Sequence, residues 1–231
     1  MSVGAIVPAA GAGRRFGGAV PKPFVILQGT PLLAHVLERL QHSPAIRWIV
    51  LVVGAGERAR ARALVKRLAI SKALDPCLGG ASRAESVARG FAALPAQAKW
   101  ILVHDGVRPC LSPQLLERAI RAGRQHGAVA CGVPASLTVK ATDASGAVRV
   151  TLDREGLWFV QTPQVFRRDW FAEAFARVDH QGAHFPDDAA VVESAGFPVR
   201  MIPGDPLNLK VTTREDLLLA EAIVARRNGR S

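Results

Sequence analysis

The sequence contains no tyrosine, and aromatic residues make up only 6% of its 231 residues. Proteins that bind single-stranded nucleic acid usually combine a basic groove with aromatic side chains on which bases stack. The formal net charge of +11 at pH 7 supplies only the basic part, so a nucleic-acid partner is not expected. The same charge is compatible with phosphorylated small molecules, with anionic lipid, or with an arginine-rich genome.

Cysteine is also scarce. The three cysteines, Cys77, Cys110 and Cys131, are scattered along the chain, and no two form a C-x-x-C pair. An odd and dispersed set argues against both a disulfide framework and a zinc cluster. We therefore expect reduced thiols and a cytoplasmic protein.

Long apolar runs are missing as well. The strongest ones, at 48–53 and 100–103, have the length of a strand, whereas a membrane-spanning helix needs about 20 apolar residues. The N-terminal residues lack a basic start before their apolar run, so no signal peptide is predicted. With 49% hydrophobic and 21% charged residues, the composition is that of a globular protein, and we expect one domain over residues 1–231.

Apolar strand-like runs alternate with amphipathic stretches over most of the chain. This alternation predicts an α/β fold with a mostly parallel, Rossmann-like sheet and helices on both faces. Helix boundaries are predicted from capping residues and from proline and glycine positions. The predicted strands are Val3–Val7, Ile46–Val53, Trp100–Val103 and Val129–Val133. Five helices are predicted: one that begins at Thr30–Pro31, one over Ala55–Ile70, one from Ser82 and Glu85 to Leu94, one from Ser112–Pro113 to Gly127, and one from Thr212 and Glu215 to about Arg227.

Residues 134–162 break this rhythm. The sequence TDASG between Val139 and Val148 predicts a hairpin turn, and the flanking strands are too polar to be buried. Two strands alone are only marginally stable in water. The segment therefore predicts a protruding β-hairpin arm that packs on a second subunit, which would make the protein a homodimer.

A glycine-rich loop, PAAGAGRRFGGAVPKPF, follows the first strand. Gly11 and Gly13 allow close approach of backbone amides to phosphate oxygens, and Arg15 and Lys22 add positive charge. The dinucleotide-binding fingerprint is not matched, because Phe16 stands where its third glycine would be and two prolines prevent a long helix. The loop is typical of a triphosphate clamp, with a flexible surface loop as the alternative.

A second group of polar residues follows the predicted strand at 100–103. Asp105 and Arg108 lie just past its end, in the sequence ILVHDGVRP. A carboxylate at this edge of a parallel sheet is suited to orienting a sugar or phosphate, or to helping hold Mg²⁺. An ion pair that merely fixes the loop is the alternative.

Two weaker signals complete the set. Gly79 and Gly80 precede a helix that carries Ser86, so exposed backbone donors there are suited to reading a base edge, although helix capping explains part of the pattern. Lys210 follows an apolar stretch, where a lone lysine is usually just solvated. No serine–histidine–aspartate elbow, cysteine–histidine pair or acid pair is evident. Cations, glycines and one acid favour transfer of a phosphoryl-type group, in which positioning and charge stabilisation dominate.

Several motifs taken together resemble one family. PAAGAGRRF, PKPF, SRAESV, VHDGVRPC, DREGLW, TPQVF and NLKVTTREDLLLAE occur in this order along essentially the whole chain. The chain thereby resembles the 2-C-methyl-D-erythritol 4-phosphate cytidylyltransferases of the non-mevalonate isoprenoid pathway. The resemblance implies transfer of a cytidylyl group from CTP to that polyol phosphate, with release of pyrophosphate.

The resemblance also implies roles for individual residues. Arg15 and Lys22 would stabilise the transition state at the α-phosphate, and Mg²⁺ would be carried mainly by the triphosphate, with Asp105 as a candidate ligand. Thr138 and Arg154 would reach the site from the arm of the other subunit. The implied nucleotide-binding residues are Ala9, Ala10, Gly11, Ala12, Gly13, Gly80, Ala81, Ser86, Asp105 and Gly106, and the implied acceptor-binding residues are Asp105, Arg108, Thr138, Arg154, Thr162 and Lys210.

The chain departs from the family pattern at two places, and two other functions stay open. Gly106 and Val107 replace a pair of alanines, and Ala81 stands where an acid is common. A cytidylyltransferase for another polyol phosphate, such as ribitol 5-phosphate, is the nearest alternative. A non-catalytic domain that binds nucleotides or nucleic acid is the alternative from another class, which the presence of both Arg15 and Lys22 disfavours.

Overall fold

The structure, a computed structural model, describes residues 2–11, 16, 20–178 and 185–227. Seven strands form a central sheet in the order β11-β7-β10-β6-β1-β4-β5, and two further pairs of strands form separate hairpins. The strands of the central sheet are β1 (Val3–Pro8), β4 (Ile46–Val53), β5 (Cys77–Leu78), β6 (Trp100–Val103), β7 (Ala128–Pro134), β10 (Trp158–Arg167) and β11 (Arg200–Pro203); the hairpins are β2 (Ile26–Leu27) with β3 (Thr30–Pro31), and β8 (Val139–Thr142) with β9 (Val148–Leu152).

The central sheet is mostly parallel, as the sequence predicts. β1 pairs in parallel with β4 and β6, β4 pairs in parallel with β5, and β11 pairs in parallel with β7. Only β10 runs antiparallel, and it joins β6 to β7. The parallel strands β1, β4, β5 and β6 therefore end at the same edge of the sheet, where ligands of open α/β sheets bind.

Helices cover both faces of this sheet, which confirms the predicted fold class. In β1, Ala5 and Val7 belong to the core on one face, and Ile6 belongs to the core on the other. The first core packs against α1, α2 and α4, and the second packs against α3, α5 and α6. The helices are α1 (Leu32–His42), α2 (Arg58–Arg67), α3 (Arg83–Ala92), α4 (Pro113–His126), α5 (Arg168–Arg177), α6 (Asp188–Ser194) and α7 (Arg214–Arg227).

Two predicted helix starts are confirmed in atomic detail. The Ser82 hydroxyl accepts a hydrogen bond from the Glu85 amide at 3.0 Å, and the Ser112 hydroxyl accepts one from the Leu115 amide at 3.2 Å. Gly127 ends α4 with φ of 85°, a conformation that favours glycine. The Glu85 carboxylate departs from the expected capping box, since it accepts from the Ala81 amide.

The prediction that Thr30 caps α1 with Pro31 as its first residue is wrong. Pro31 itself is the N-cap, and no side chain caps the helix. Thr30 lies in β3 after a tight turn at Gln28 and Gly29, both with positive φ. Its hydroxyl donates to the Leu27 carbonyl at 3.3 Å, so the hairpin uses the group that would have capped the helix.

The predicted capping box of Thr212 and Glu215 is displaced by one residue. Thr213 precedes α7, and its hydroxyl accepts from the Asp216 amide at 3.3 Å. The Asp216 carboxylate in turn accepts from the amides of Thr212 and Thr213 at 2.8 and 2.9 Å. Asp216 thus satisfies more backbone donors than Glu215 would.

The helix predicted over Ala55–Ile70 is shorter. Residues Ala55–Glu57 form a turn of 3-10 helix, and α2 ends at Arg67. Ala69 then adopts φ of 50°, which turns the chain back toward β4.

The predicted hairpin is present, in a narrower range than 134–162. Its two strands are β8 and β9, whereas residues from 158 onward pair with β7 in the central sheet. At the turn, the Asp143 carboxylate accepts from the amides of Ser145 and Ala147 at 2.9 and 3.1 Å, and Gly146 has φ of 87°. These bonds explain why TDASG forms a turn.

Gly90 sets how closely α3 approaches the sheet. A Cβ atom at this position would lie 2.6 Å from Cγ2 of Ile6 and 2.8 Å from Cγ2 of Val52. Overpacking costs about 1–3 kcal/mol, against a gain in helix propensity of about 1 kcal/mol. We expect Gly90→Ala to lower the free energy of unfolding by about 1 kcal/mol, the middle of the resulting range of about 0–2 kcal/mol, in denaturant titrations, because two buried methyl groups must shift.

The matched control is Gly56→Ala, since no heavy atom lies within 4 Å of a Cβ there. Its free energy of unfolding should change by less than about 0.5 kcal/mol. Equal stability of the two variants would contradict this account of the contact between α3 and the sheet.

Candidate active site

A cavity of about 480 Å³ opens at the carboxyl ends of the parallel strands. The loops that follow β1, β5 and β6 form its walls, together with Lys22 and Lys210. Its lining residues are Pro8, Ala9, Ala10, Gly11, Lys22, Gly80, Ala81, Ser82, Arg83, Ser86, Asp105, Val107 and Lys210. Residues predicted from widely separated segments are thus brought together at one edge of the sheet.

The start of the glycine-rich loop forms one wall. The Ala9 amide donates to the Val52 carbonyl at 2.7 Å, which continues the pairing of β1 with β4 into the loop. Ala12, Gly13 and Arg15 lie outside the described residues. A short 3-10 helix spans Lys22–Phe24, and its last residue, Phe24, is buried.

The loop after β5 forms the opposite wall. The Gly80 amide donates to the Ser86 hydroxyl at 3.0 Å, and that hydroxyl donates to the Ser82 carbonyl at 2.9 Å. A Cβ at Gly79 would lie 2.5 Å from that of Ala10, so glycine lets the two walls approach. The Glu85 carboxylate accepts from the Ala81 amide at 2.6 Å. An acid therefore lies next to Ala81, although alanine has replaced the acidic side chain that is common at this position.

Asp105 lies at the centre of a cluster of cations. Its carboxylate is 2.9 Å from Nζ of Lys210, 3.3 Å from Nη2 of Arg83 and 3.4 Å from Nε of Arg108. Burial opposes ionisation of this group, but Arg83, Lys210 and Arg108 hold the pKa of the Asp105 carboxyl well below its usual range. Asp105 is therefore an anion that keeps three mutually repelling cations together.

Arg83 is a site residue that the sequence analysis missed. Its Nη2 donates to the carboxylate of Asp188 at 2.8 Å as well as to Asp105. Burial lowers its affinity for the proton, yet Asp188 and Asp105 hold the pKa of Arg83 above its ordinary value. Arg83 is the first residue of α3, where the positive end of the helix dipole disfavours a cation. A cation at this position is a sequence signal that an acidic side chain lies close to it.

Asp188, the partner of Arg83, is fully buried at the start of α6. Burial raises the pKa of its carboxyl despite the opposing effect of Arg83. One of its oxygens, Oδ1, has no hydrogen-bond partner in the described part of the chain. The cluster therefore combines three cations with two buried carboxyl groups, and its positive charge is only partly balanced.

A chain of hydrogen bonds fixes the segment between Asp105 and Arg108. The Asp105 amide donates to the Thr162 hydroxyl at 3.0 Å, and that hydroxyl lies 3.2 Å from Nδ1 of His104. Nε2 of His104 lies 3.3 Å from the Arg108 carbonyl. These partners match a neutral imidazole that accepts at Nδ1 and donates at Nε2. Thr162 and His104 therefore position Asp105 from behind.

Arg108 is held by a second element. Its Nη1 donates to the Asn208 carbonyl at 2.9 Å, and the Asn208 side chain donates to the Thr162 carbonyl at 2.7 Å. Arg108 and Thr162 are both buried. The ion pair between Asp105 and Arg108, which is the alternative interpretation of the sequence, is present at 3.4 Å. Arg108 is also part of the cationic cluster.

Thr138 and Arg154 do not join the others. Both are exposed on the hairpin segment, and Arg154 donates to the Ser136 carbonyl at 2.9 Å. Neither residue lines the cavity within one chain. Their assignment to a partner's site stays a prediction.

The two departures from the family pattern lie at backbone contacts. The Gly106 amide donates to the Pro8 carbonyl at 3.2 Å, and the Val107 carbonyl accepts from the Val211 amide at 2.9 Å. A Cβ at Gly106 would lie 3.2 Å from that of Ala9. The main chain of the Gly106–Val107 segment therefore joins the end of β1 at Pro8 to the segment before α7 at Val211.

The residues present do not fit a resident Mg²⁺ ion. Asp105 is the only carboxylate among the described residues that line the cavity, and its two oxygens already face three cations. Mg²⁺ requires a near-octahedral set of oxygen ligands. Among the residues that the structure covers, no group of three or more histidine, cysteine, aspartate or glutamate side chains is suited to a metal ion. The prediction of Asp105 as a metal ligand gains no support from this geometry.

The fold and the site together define a class of protein. A mostly parallel α/β sheet with a glycine-lined, cation-rich cavity at its strand ends is the arrangement of a nucleotidyltransferase. The family model for 2-C-methyl-D-erythritol 4-phosphate cytidylyltransferase matches residues 3–226. The chain belongs to this family, and it is therefore a nucleotidyltransferase enzyme.

Individual relatives agree with the family match. The chain is 39% identical to a 2-C-methyl-D-erythritol 4-phosphate cytidylyltransferase of Syntrophus aciditrophicus, over 98% of this chain and 97% of that protein. It is 43% identical to one of Dehalococcoides mccartyi, over 96% of each. The crystal structure of the Thermus thermophilus enzyme matches with a TM-score of 0.78 and 31% identity, over 98% of this chain and 100% of that one.

The buried imidazole of His104 gives a prediction about pH. Burial lowers the pKa of His104 to about 4, whereas an unfolded histidine titrates near ~6.5. Between these values the unfolded chain binds a proton that the folded chain does not, so the free energy of unfolding should decrease as pH falls from ~6.5 toward 4. An NMR titration of the imidazole should give a midpoint near 4.

The His104→Gln variant identifies the resonance and should flatten this part of the stability profile. A His104 midpoint near the ordinary value would contradict the neutral, doubly hydrogen-bonded imidazole described above.

Proposed function

We propose that this chain transfers the cytidylyl group of CTP to 2-C-methyl-D-erythritol 4-phosphate and releases pyrophosphate, as a step in non-mevalonate isoprenoid biosynthesis. The family match over residues 3–226 supports this proposal most strongly. The alternative acceptor, ribitol 5-phosphate, is not favoured by the comparisons. A non-catalytic binding domain is not favoured either, because the sequence has both Arg15 and Lys22, and Lys22 lines the cavity.

The nucleotide would occupy the cavity between the two glycine-containing walls. Ala9, Ala10 and Gly11 lie on one wall and Gly80, Ala81 and Ser86 on the other, which supports their proposed contacts with CTP. Exposed amides at such loops are suited to phosphate oxygens and to base edges. Asp105 and Gly106 would complete the nucleotide contacts from β6, and Ala12 and Gly13 would extend those of the glycine-rich loop.

The reaction needs little proton chemistry. The acceptor phosphate monoester has a second pKa near ~6 and is already an anionic nucleophile at neutral pH. Its oxygen would attack the α-phosphorus of CTP, and the bond to the β-phosphate would break as pyrophosphate leaves. The neutral, fully hydrogen-bonded state of His104 agrees with a mechanism that has no histidine general base.

Charge is the main obstacle, since a dianion must approach a polyanion. We propose that Arg15 and Lys22 stabilise the transition state at the α-phosphate. Lys210 and Arg108 would hold the acceptor phosphate, with Thr162 behind them. The Lys210 side chain is 39% exposed and that of Arg108 only 10%, so Lys210 is the more accessible of the two to an incoming phosphate.

A divalent cation generally accompanies nucleotidyl transfer. Because the described donors do not fit a resident ion, we propose that it enters with the triphosphate of CTP.

The site would be completed by a second copy of the chain. We propose a homodimer in which the arm of one subunit brings Thr138 and Arg154 to the acceptor phosphate of the other. The exposed position of both residues, away from the cavity of their own chain, supports this arrangement. Residues 1–231 would form a single nucleotidyltransferase domain.

The protein would act in the cytoplasm. All three cysteines are unpaired, and Cys110 and Cys131 are buried, which agrees with a reducing compartment. In the described residues, no helix has the length and apolar character needed to span a bilayer.

The direct test is pyrophosphate release in the presence of CTP and Mg²⁺ with a panel of polyol phosphates. 2-C-Methyl-D-erythritol 4-phosphate should give the highest kcat/KM, well above that of ribitol 5-phosphate. Pyrophosphate release with ribitol 5-phosphate and with no other acceptor would instead support the alternative function. Absence of release with every acceptor would overturn the proposed activity.

A pair of lysine variants separates catalysis from acceptor binding. Lys22→Ala should lower kcat by ~10²–10³ and change CTP binding less, as expected for the loss of one charge-stabilising donor; Arg15→Ala should behave in the same way. Lys210→Ala should raise the KM for the acceptor more than the KM for CTP, because a charged hydrogen bond is worth about 1.5–3 kcal/mol. Steady-state kinetics in both substrates measure the difference.

Lys66→Ala is the matched control, since Lys66 is exposed on α2 and lies outside the cavity lining. Its kinetic constants should equal those of the unmodified chain. Equal effects of Lys210→Ala on the two substrates would rule out the acceptor-binding role, and a near-normal kcat in Lys22→Ala would rule out the catalytic one.

The exchanged arm predicts complementation. Lys22→Ala and Arg154→Ala chains should each be inactive alone, and a mixture unfolded and refolded together should recover roughly a quarter of normal activity. Random pairing makes about half of the dimers mixed, and each mixed dimer has one complete site of two. A mixture that stays inactive would show that the arm serves its own chain, and sedimentation as a fully active monomer would refute the arm's role.

A further inference from the structure

A second cavity, of about 380 Å³, lies apart from the candidate active site. It is enclosed by α1, the turn between β2 and β3, the end of α7 and the segment that follows Arg108. Its lining residues are mostly polar and include two arginines and two histidines. They are Gln28, Thr30, His35, Glu38, Arg39, His42, Pro109, Cys110, Val224 and Arg227.

The two arginines hold neighbouring carbonyl groups of one segment. Nε of Arg39 donates to the Leu111 carbonyl at 3.0 Å, and Nη1 of Arg227 donates to the Cys110 carbonyl. Nη2 of Arg227 is occupied by Asp205 at 3.1 Å. Nη1 and Nη2 of Arg39 make no hydrogen bond within the described ranges, so this half-buried guanidinium has forked donors to spare.

The positive charges of Arg39 and Arg227 lie close enough to repel each other. Burial and the positive charge of Arg227 both lower the pKa of Arg39, and only Glu38 opposes them. Asp205 pairs with Arg227 at 3.1 Å. Each guanidinium therefore has one carboxylate nearby, but of the two only Arg227 is in a salt bridge among the described residues.

Two histidines lie at the same wall. Nε2 of His35 lies 2.8 Å from the Thr30 hydroxyl, and Nδ1 of His42 lies 2.6 Å from the Glu38 carbonyl. The second ring nitrogen of each has no described partner. The Thr30 hydroxyl already donates to Leu27, so the donors left for a ligand are the two Nη groups of Arg39, whose forked geometry suits carboxylate or phosphate oxygens.

We propose that this cavity binds the phosphate group of a small anion through the Nη donors of Arg39, next to Arg227 and the histidine pair. A tetrahedral phosphate offers several oxygens and matches the forked geometry of a guanidinium. The volume exceeds that of inorganic phosphate, so the natural ligand is a phosphorylated metabolite. The site is separate from the one proposed for CTP and the acceptor, and it does not depend on that proposal.

The position of the cavity gives the bound anion a consequence. Cys110 and Leu111 lie two and three residues beyond Arg108, which belongs to the cationic cluster around Asp105. An anion that relieves the repulsion between Arg39 and Arg227 would stabilise the hydrogen bonds of both arginines to the carbonyl groups of this segment. Binding to the folded state alone should also raise the Tm in proportion to its affinity.

The test is a titration with inorganic phosphate at constant pH and ionic strength, followed by the imidazole NMR signals of His35 and His42. The His35→Gln and His42→Gln variants identify these signals. Lys210→Ala serves as the background for all samples, so that binding at the candidate active site is weakened. We expect both signals to shift and saturate, with acetate giving a much weaker response at equal concentration.

Arg39→Gln should weaken phosphate binding at least ~10-fold, as expected when a charged donor pair is lost. Arg121→Gln, an exposed arginine on α4, is the matched control and should leave the affinity unchanged. If Arg39→Gln does not fold, Arg39→Lys keeps the charge without the fork and should weaken binding by a smaller but measurable factor.

Three outcomes would overturn the proposal. The first is an absence of any shift at His35 and His42, and the second is a shift that does not saturate. The third is an affinity that both Arg39 variants leave intact. Equal responses to acetate and phosphate would overturn the assignment to phosphate. Each readout is independent of catalysis, so it stands whether or not the proposed cytidylyl transfer is found.

Discussion

The ion cluster around Asp105 constrains the rest of the site. Three cations, Arg83, Arg108 and Lys210, converge on one carboxylate from three different parts of the chain. Without that carboxylate the cations would repel one another at distances where the low local dielectric makes repulsion costly. The three cations therefore come together only when the chain folds. Thr162 and Asn208 then hold Asp105 and Arg108 in place through hydrogen bonds, and His104 bonds to Thr162 and to the Arg108 carbonyl. A site with a residual positive charge is what a reaction between two phosphorylated substrates requires.

The elements of the fold follow from local patterns, because apolar alternation and capping act over a few residues. The strands at 46–53 and 100–103 and the starts of α3 and α4 agree with the sequence prediction. The prediction is wrong where two local interactions compete for the same polar group. Thr30 is used by a hairpin turn, and Asp216 outcompetes Glu215 for the amides before α7. Single-residue patterns cannot rank such rivals, since the difference in free energy is small.

The site is predictable only in part, for a different reason. Lys22, Ser86, Asp105 and Lys210 lie in or next to the segments that connect strands to the following elements, so the parallel strand order brings them to one edge. Arg83 and Asp188 are 105 residues apart, and only the packed structure shows that they meet. The same is true of His104, whose neutral state depends on burial behind Asp105. Long-range partners of buried charges are the part of a site that local reasoning does not reach.

The β8–β9 hairpin and the strand that follows it expose several apolar side chains within one chain. Val148, Val150 and Leu152 on β9, and Phe159 on β10, expose between 40% and 55% of their surface. Isolated exposed apolar side chains are ordinary, but three on one strand of a hairpin, with a fourth on the next strand of the chain, are suited to association. The polar residues between them explain why the sequence does not look like a buried strand pair. A partner that covers this surface would bury the apolar side chains and bring Arg154 near a phosphate at the same time, so stability of the arm and completion of the site would come from a single contact.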